Sequence, residues 1–121
     1  MAYFVNLETH TDERGKLTVI EREVPFQIKR VFYIYGVTDS MRGGHRHAKT
    51  IQAAICLRGS CIITSNDGIK RMDFNLDTPS KCLILEPRDW HQMHHFTSDA
   101  ILLVLASEFY HPDDYIYEEY T

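Results

Sequence analysis

Apolar residues along the chain come in short runs, several alternating with polar ones, and turn-forming residues interrupt them roughly every eight to twelve positions, a strand period and not a helical one. The pattern predicts strands over residues 3–7 and 17–21, on either side of the turn-prone Asp12-Glu13-Arg14-Gly15, and over residues 28–35 after Pro25. Residues 51–57 form a nearly continuous apolar run that ends before Gly59, and residues 61–65 resume it. Asn66-Asp67-Gly68 is the strongest hairpin signal, because Asp-Gly tolerates the positive φ angles of a tight turn. Further strands are expected over residues 69–74, 82–86 and 101–106, and a short helix begun by Pro112-Asp113-Asp114 in the acidic, tyrosine-rich tail. About nine short strands suit one all-β domain over residues 1–121, a small jelly roll in which two antiparallel sheets close into a barrel with a mouth between them.

Composition narrows the partners more than the fold. At 44% hydrophobic and 25% charged residues the chain is neither disordered nor fibrous. Thirteen Lys and Arg against seventeen Asp and Glu give a formal charge of -4, so no basic field exists for nucleic acid or an anionic membrane surface. No run approaches the ~18 to 20 apolar residues of a membrane span, and the first residues lack the basic start and apolar core of a signal peptide, so a cytoplasmic location is expected. Cys56, Cys61 and Cys82 are odd in number and lie in apolar, strand-like surroundings, where they read as small buried hydrophobes.

Five of the seven histidines fall in two tight groups, His45 with His47 and His91 with His94 and His95. On a strand, side chains at i and i+2 share a face, so His45 and His47 project together and Arg46 points away. The string Gly44-His45-Arg46-His47, then Gln52, then Gly59 resembles the first motif of the cupin superfamily, and Pro87-Arg88-Asp89-Trp90-His91 resembles the second. In metal cupins a glutamate stands where this chain has Gln52, a glycine where it has Asp89, and the last histidine falls one position later than His91. These departures speak against a metal, although His45, His47 and His91 are suitable ligands for one. Acid/base chemistry is the preferred reading, because imidazole accepts and donates protons near neutral pH.

A longer set of segments carries a closer likeness. Asp12-Glu13-Arg14-Gly15-Lys16-Leu17, Pro25-Phe26, Lys29-Arg30-Val31, Arg42-Gly43-Gly44-His45-Arg46-His47, Gly59-Ser60-Cys61, Trp90-His91-Gln92-Met93, Val104-Leu105-Ala106-Ser107 and Asp114-Tyr115-Ile116 together resemble the sugar 3,4-ketoisomerase family, the WxcM-like cupins. The resemblance implies an enzyme that needs no metal or other cofactor, a homodimer exchanging an N-terminal strand, and conversion of dTDP-4-keto-6-deoxyglucose to its 3-keto isomer for 3-amino sugars of bacterial surface glycans such as O-antigen. It implies His45 and His47 as the acid/base pair, with the assignment of base and donor left open, and Arg14, Arg42, Tyr33, Gln52 and His91 as substrate-binding residues. Many members carry two consecutive tyrosines after the Lys-Arg-Val segment. This chain has Phe32 and then Tyr33, so the first hydroxyl is missing. Arg14 and His91 match the branch that gives the 6-deoxy-galacto product. The rival readings are a metal-dependent cupin using His45, His47 and His91, and a sugar-nucleotide-binding cupin without catalysis.

Overall fold

The structure, a computed structural model, describes residues 1–121 and contains twelve strands. They are β1 (Tyr3–Asn6), β2 (Glu8–Asp12), β3 (Gly15–Val19), β4 (Arg30–Ile34), β5 (Arg42–His47), β6 (Gln52–Arg58), β7 (Cys61–Asn66), β8 (Arg71–Leu76), β9 (Lys81–Leu85), β10 (Trp90–His94), β11 (Ile101–Ala106) and β12 (Tyr115–Ile116). One five-stranded sheet runs β1-β9-β6-β11-β4 and the other β12-β5-β10-β7-β8, with every pairing antiparallel. This is the cupin-type double-sheet barrel. Strands β2 and β3 form a separate hairpin.

The inner faces of both sheets supply the main core, including Ala54, Cys56, Ile63, Leu83, Leu85, Met93, Leu102 and Val104. A second cluster of Ala53, Ile55, Cys82, Ile84 and Leu105 lies on the other face of the first sheet, where Val24 and Phe26 cover it. Burial on both faces explains the unbroken apolar runs of β6, β9 and β11, since neither set of alternating side chains meets water. The three cysteines are buried and unbridged, as small core residues.

Four strands escape the hydrophobic pattern. Strand β2 is polar and wholly exposed, β5 is rich in glycine and histidine, β10 carries three histidine or glutamine positions, and β12 is two residues long. The hairpin after β7 is also longer than Asn66-Asp67-Gly68 suggests. Asp67 Oδ1 accepts hydrogen bonds from the Ile69 and Lys70 backbone N–H groups, both at 2.9 Å, so pairing resumes at Arg71. The expected tail helix is a single 3-10 turn, Pro112–Asp114, followed by β12. Tyr115 of β12 pairs with His47 of β5, which ties the tail to the histidine strand.

Candidate active site

The histidines meet because Gly43 lets β5 approach β10. The pairing register shifts between His91 and Gln92, setting His91 opposite His45 and Gln92 opposite Gly43. Gly43 has φ +82°, and a Cβ there would stand 3.0 Å from the His91 carbonyl oxygen, so a side chain would force the strands apart. The alternation of β5 directs His45 and His47 inward and carries Arg46 outward, where its guanidinium lies 4.8 Å from the Tyr120 ring centroid.

His45, His47 and His91 bring one ring nitrogen each within 4.8 Å of the others. The His45 ring centroid is 5.0 Å from that of His47, 5.1 Å from that of His91 and 4.7 Å from that of Tyr115. Two of the rings are fixed in tautomer by acceptors that cannot donate. His47 Nδ1–H donates to Asp114 Oδ2 at 2.8 Å, and His91 Nδ1–H donates to the Asp89 carbonyl at 2.9 Å. Both therefore present a bare Nε2, and both Nε2 atoms are buried without a protein partner. Asp114 is itself anchored: Thr50 Oγ1–H donates to the same oxygen, and the Lys49 backbone N–H donates to Oδ1 at 2.8 Å.

Burial pushes the basicity of all three imidazoles below the ordinary histidine value. His45 falls to about 4, through desolvation and then the charge of His47, only partly offset by Asp114. His91, 1% exposed, falls to about 3 by desolvation, which its bond to Asp89 does not overcome. His47 is also lowered by burial, with the Asp114 hydrogen bond and charge opposing the shift. Burial raises the Asp114 carboxyl, but hydrogen bonds from Thr50, the Lys49 backbone and His47 outweigh it and leave the group below the usual carboxylate value. Near neutral pH the site holds neutral imidazoles beside one carboxylate.

A cavity of about 240 Å³ opens between the sheets, walled by Arg30, Phe32 and Ile34 of β4, Arg42, Gly43 and His45 of β5, Gln52 of β6, His91 and Met93 of β10, and Tyr115. Of the seven residues singled out from the sequence, His45, Arg42, Gln52 and His91 line it together. His47, 4% exposed, stands directly behind His45. Gln52 Oε1 is buried and unpartnered.

Tyr33 and Arg14 lie elsewhere. On β4 the alternation sends Arg30, Phe32 and Ile34 inward and Tyr33 outward, where it is 62% exposed and stacks on Tyr35 at 5.8 Å. Arg14 sits at the tip of the β2–β3 hairpin with an 84% exposed side chain, bonded only to the Asp12 carboxylate, and within one chain it does not reach the histidines. Trp90 faces away from His91 and donates its Nε1–H to the Tyr117 carbonyl at 3.0 Å, under the tail. His94 and His95 bond to each other and lie outside the cluster. Arg30, Asp114 and Tyr115 join the site without a spacing signal of their own, although two of the segments that carry the resemblance, Lys29-Arg30-Val31 and Asp114-Tyr115-Ile116, contain them.

Three imidazoles with bare ring nitrogens can hold a divalent transition metal or handle protons on a bound substrate. The three donor atoms suit such a metal, and no carboxylate joins the group.

Residues 2–121 match the family FdtA, described as WxcM-like, C-terminal. A curated relative, the TDP-4-oxo-6-deoxy-alpha-D-glucose-3,4-oxoisomerase of Aneurinibacillus thermoaerophilus, is 42% identical over 115 residues, 93% of this chain and 83% of that protein. Among solved structures, the sugar 3,4-ketoisomerase QdtA of Thermoanaerobacterium thermosaccharolyticum in complex with TDP is 40% identical with a TM-score of 0.93, over 97% of this chain and 88% of that one. The WlaRB TDP-quinovose 3,4-ketoisomerase of Campylobacter jejuni is 39% identical with a TM-score of 0.93, over 97% and 92% of the two chains.

Proposed function

The chain belongs to the FdtA, WxcM-like family, and from that premise we propose that it is an isomerase moving the keto group of dTDP-4-keto-6-deoxy-D-glucose from C4 to C3 through an enediolate. The observation that carries this reading is the cavity itself, in which a neutral imidazole, His45, faces two arginines, Arg30 and Arg42, beneath an opening between the sheets. A carbonyl at C4 acidifies the C3 hydrogen, and a base with a nearby fixed cation is what its removal needs.

His45 is the base in this reading, because it lines the cavity whereas His47 does not. His45 takes the C3 proton. His45 returns that proton to C4, and His47, held by Asp114 with Nε2 bare, can take it up in between. The carboxylate behind His47 stabilises the imidazolium that forms and keeps its tautomer fixed. Arg42 suits the diphosphate or the developing oxyanion, since a guanidinium is always charged and bonds oxyanions bidentately. Gln52 and His91 offer unpaired polar atoms to the sugar.

The product is the 3-keto-6-deoxy-galactose nucleotide, a reading that rests on Arg14 and His91 and serves synthesis of 3-amino sugars for surface glycans in the cytoplasm. Arg14 can take part only if a second chain brings it. The β2–β3 hairpin supports a homodimer of that kind: it carries an exposed Leu17 and pairs only with itself, and an isolated two-stranded hairpin is marginal in water.

Incubation of EDTA-treated protein with dTDP-4-keto-6-deoxyglucose in D2O, followed by proton NMR, tests the reading. A 3-keto product with the galacto configuration at C4 is expected, and unchanged substrate contradicts it. The cluster of three ring nitrogens favours one alternative, a metal-dependent cupin enzyme; activity that returns only with added zinc, nickel or iron would replace the acid/base reading with it.

A further inference from the structure

Only one hydroxyl group lines the histidine cavity, that of Tyr115. Phe32 has none, and Tyr33 and Tyr35 stand on the outer face of the sheet. The Tyr115 oxygen accepts a hydrogen bond from Arg30 Nη1 at 3.4 Å, and this is the single hydrogen bond the hydroxyl makes. Its own proton is therefore uncommitted to the protein and free for an oxygen in the cavity.

Arg30 is held where it can act on that hydroxyl. Its guanidinium carbon lies 4.8 Å from the Phe32 ring centroid and 5.2 Å from that of Tyr110, a cation between two aromatic faces. A neighbouring fixed cation polarises the O–H bond and stabilises negative charge on the oxygen it bonds. Tyr115 is placed as firmly. Its ring centroid is 4.7 Å from each of His45 and His47, and its backbone pairs with His47 across β12 and β5. The hydroxyl is thus held at a fixed place beside the histidines.

We infer that Tyr115, polarised by Arg30, carries the proton between the two oxygens of the sugar during isomerisation. This rests on the proposed ketoisomerase reading and deepens it, because that reaction leaves one transfer unassigned. When His45 removes the C3 proton, the C–H electron pair forms the C3–C4 double bond and the carbonyl pair moves onto O4. For the carbonyl to appear at C3, O4 must gain a proton, O3 must lose one and C4 must receive the proton held by the histidines. Tyr115 gives its hydroxyl proton to O4 and takes one from the O3 hydroxyl. The electrons on O3 then form the new carbonyl as C4 is protonated. Atoms and charge balance, and the tyrosine ends as it began.

The test is Tyr115→Phe, which keeps the ring and loses the hydroxyl. Turnover should fall about 10²- to 10³-fold, the usual cost of losing one donor to a developing oxyanion, with TDP affinity by calorimetry and the melting temperature close to wild type. Exchange of the C3 hydrogen with D2O should slow along with turnover. Turnover within about threefold of wild type overturns the inference, and so does a turnover loss matched by an equal loss of TDP affinity or of folding. Arg30→Gln should lower turnover in the same direction with an intact Tyr115, and unchanged turnover there removes the polarising role. If wild-type protein neither isomerises the substrate nor exchanges its C3 hydrogen, the ketoisomerase reading itself fails. If wild type does both and Tyr115→Phe matches it, the inference alone fails.

Discussion

Two parts of the molecule carry segments of the same family likeness and are built in opposite ways. Around β5, β10 and β12 two of the three histidines have a hydrogen-bonding group behind them. Asp114 and Thr50 hold His47, the Asp89 carbonyl holds His91, and Gly43 lets the two strands close. The β2–β3 hairpin has no such backing: all of β2 and most of β3 are exposed, and Arg14 bonds only to its neighbour Asp12. The histidine region is preorganised within one chain, whereas Arg14 has no partner outside its own hairpin. Groups with such support have a defined geometry here, and Arg14 has none.

The predictions press on that contrast. His45→Asn should reduce turnover by about 10²- to 10⁴-fold, the range general acid/base catalysis supplies, measured by NMR of product formation; wild-type rates would break the account. Asp114→Asn should cost about 10- to 100-fold through loss of the tautomer lock on His47, with TDP affinity by calorimetry nearly unchanged. Arg14→Ala should cost about tenfold, the scale of one lost charge-assisted bond. It should also spare the His91 and His45 proton resonances of the free chain, since Arg14 does not touch them. A monomer by analytical ultracentrifugation with full Arg14 dependence would contradict delivery by a second chain. Arg46→Ala, on the outward face of β5, should change turnover by no more than about twofold.

Acid should separate the two regions as well. His45, His47 and His91 are all less basic in the folded protein than in the unfolded chain. Below about pH 6.5 the unfolded chain takes up protons that the native site refuses, so the stability held above that pH is lost as pH falls toward 4. Melting temperature should drop over this window and drop less in His91→Asn.

How far the sequence disclosed this arrangement follows from where water is excluded. β11 was legible over residues 101–106 because a run buried on both faces is apolar throughout. β5 and β10 were not, since their inward positions hold imidazoles in place of aliphatic side chains. His45, His47 and Gln52 could be chosen from spacing alone, but the partnership of His47 with Asp114 joins residues 67 apart and depends on the two-residue β12. Tyr33 is chemically apt but stands one position out of phase on β4, where Arg30, Phe32 and Ile34 hold the inner face. Arg14 could be matched to a family segment, but an exposed hairpin tip has no pattern that says what it will touch.

The most direct test of the central claim is the rate at which the C3 hydrogen of dTDP-4-keto-6-deoxyglucose exchanges with D2O, measured by proton NMR with EDTA-treated wild type and with His45→Asn. Exchange should be rapid with wild type and at least about a hundredfold slower with the variant at equal occupancy. Equal exchange in the two proteins, or exchange by wild type only after a metal is restored, would contradict a metal-free site in which His45 takes the proton.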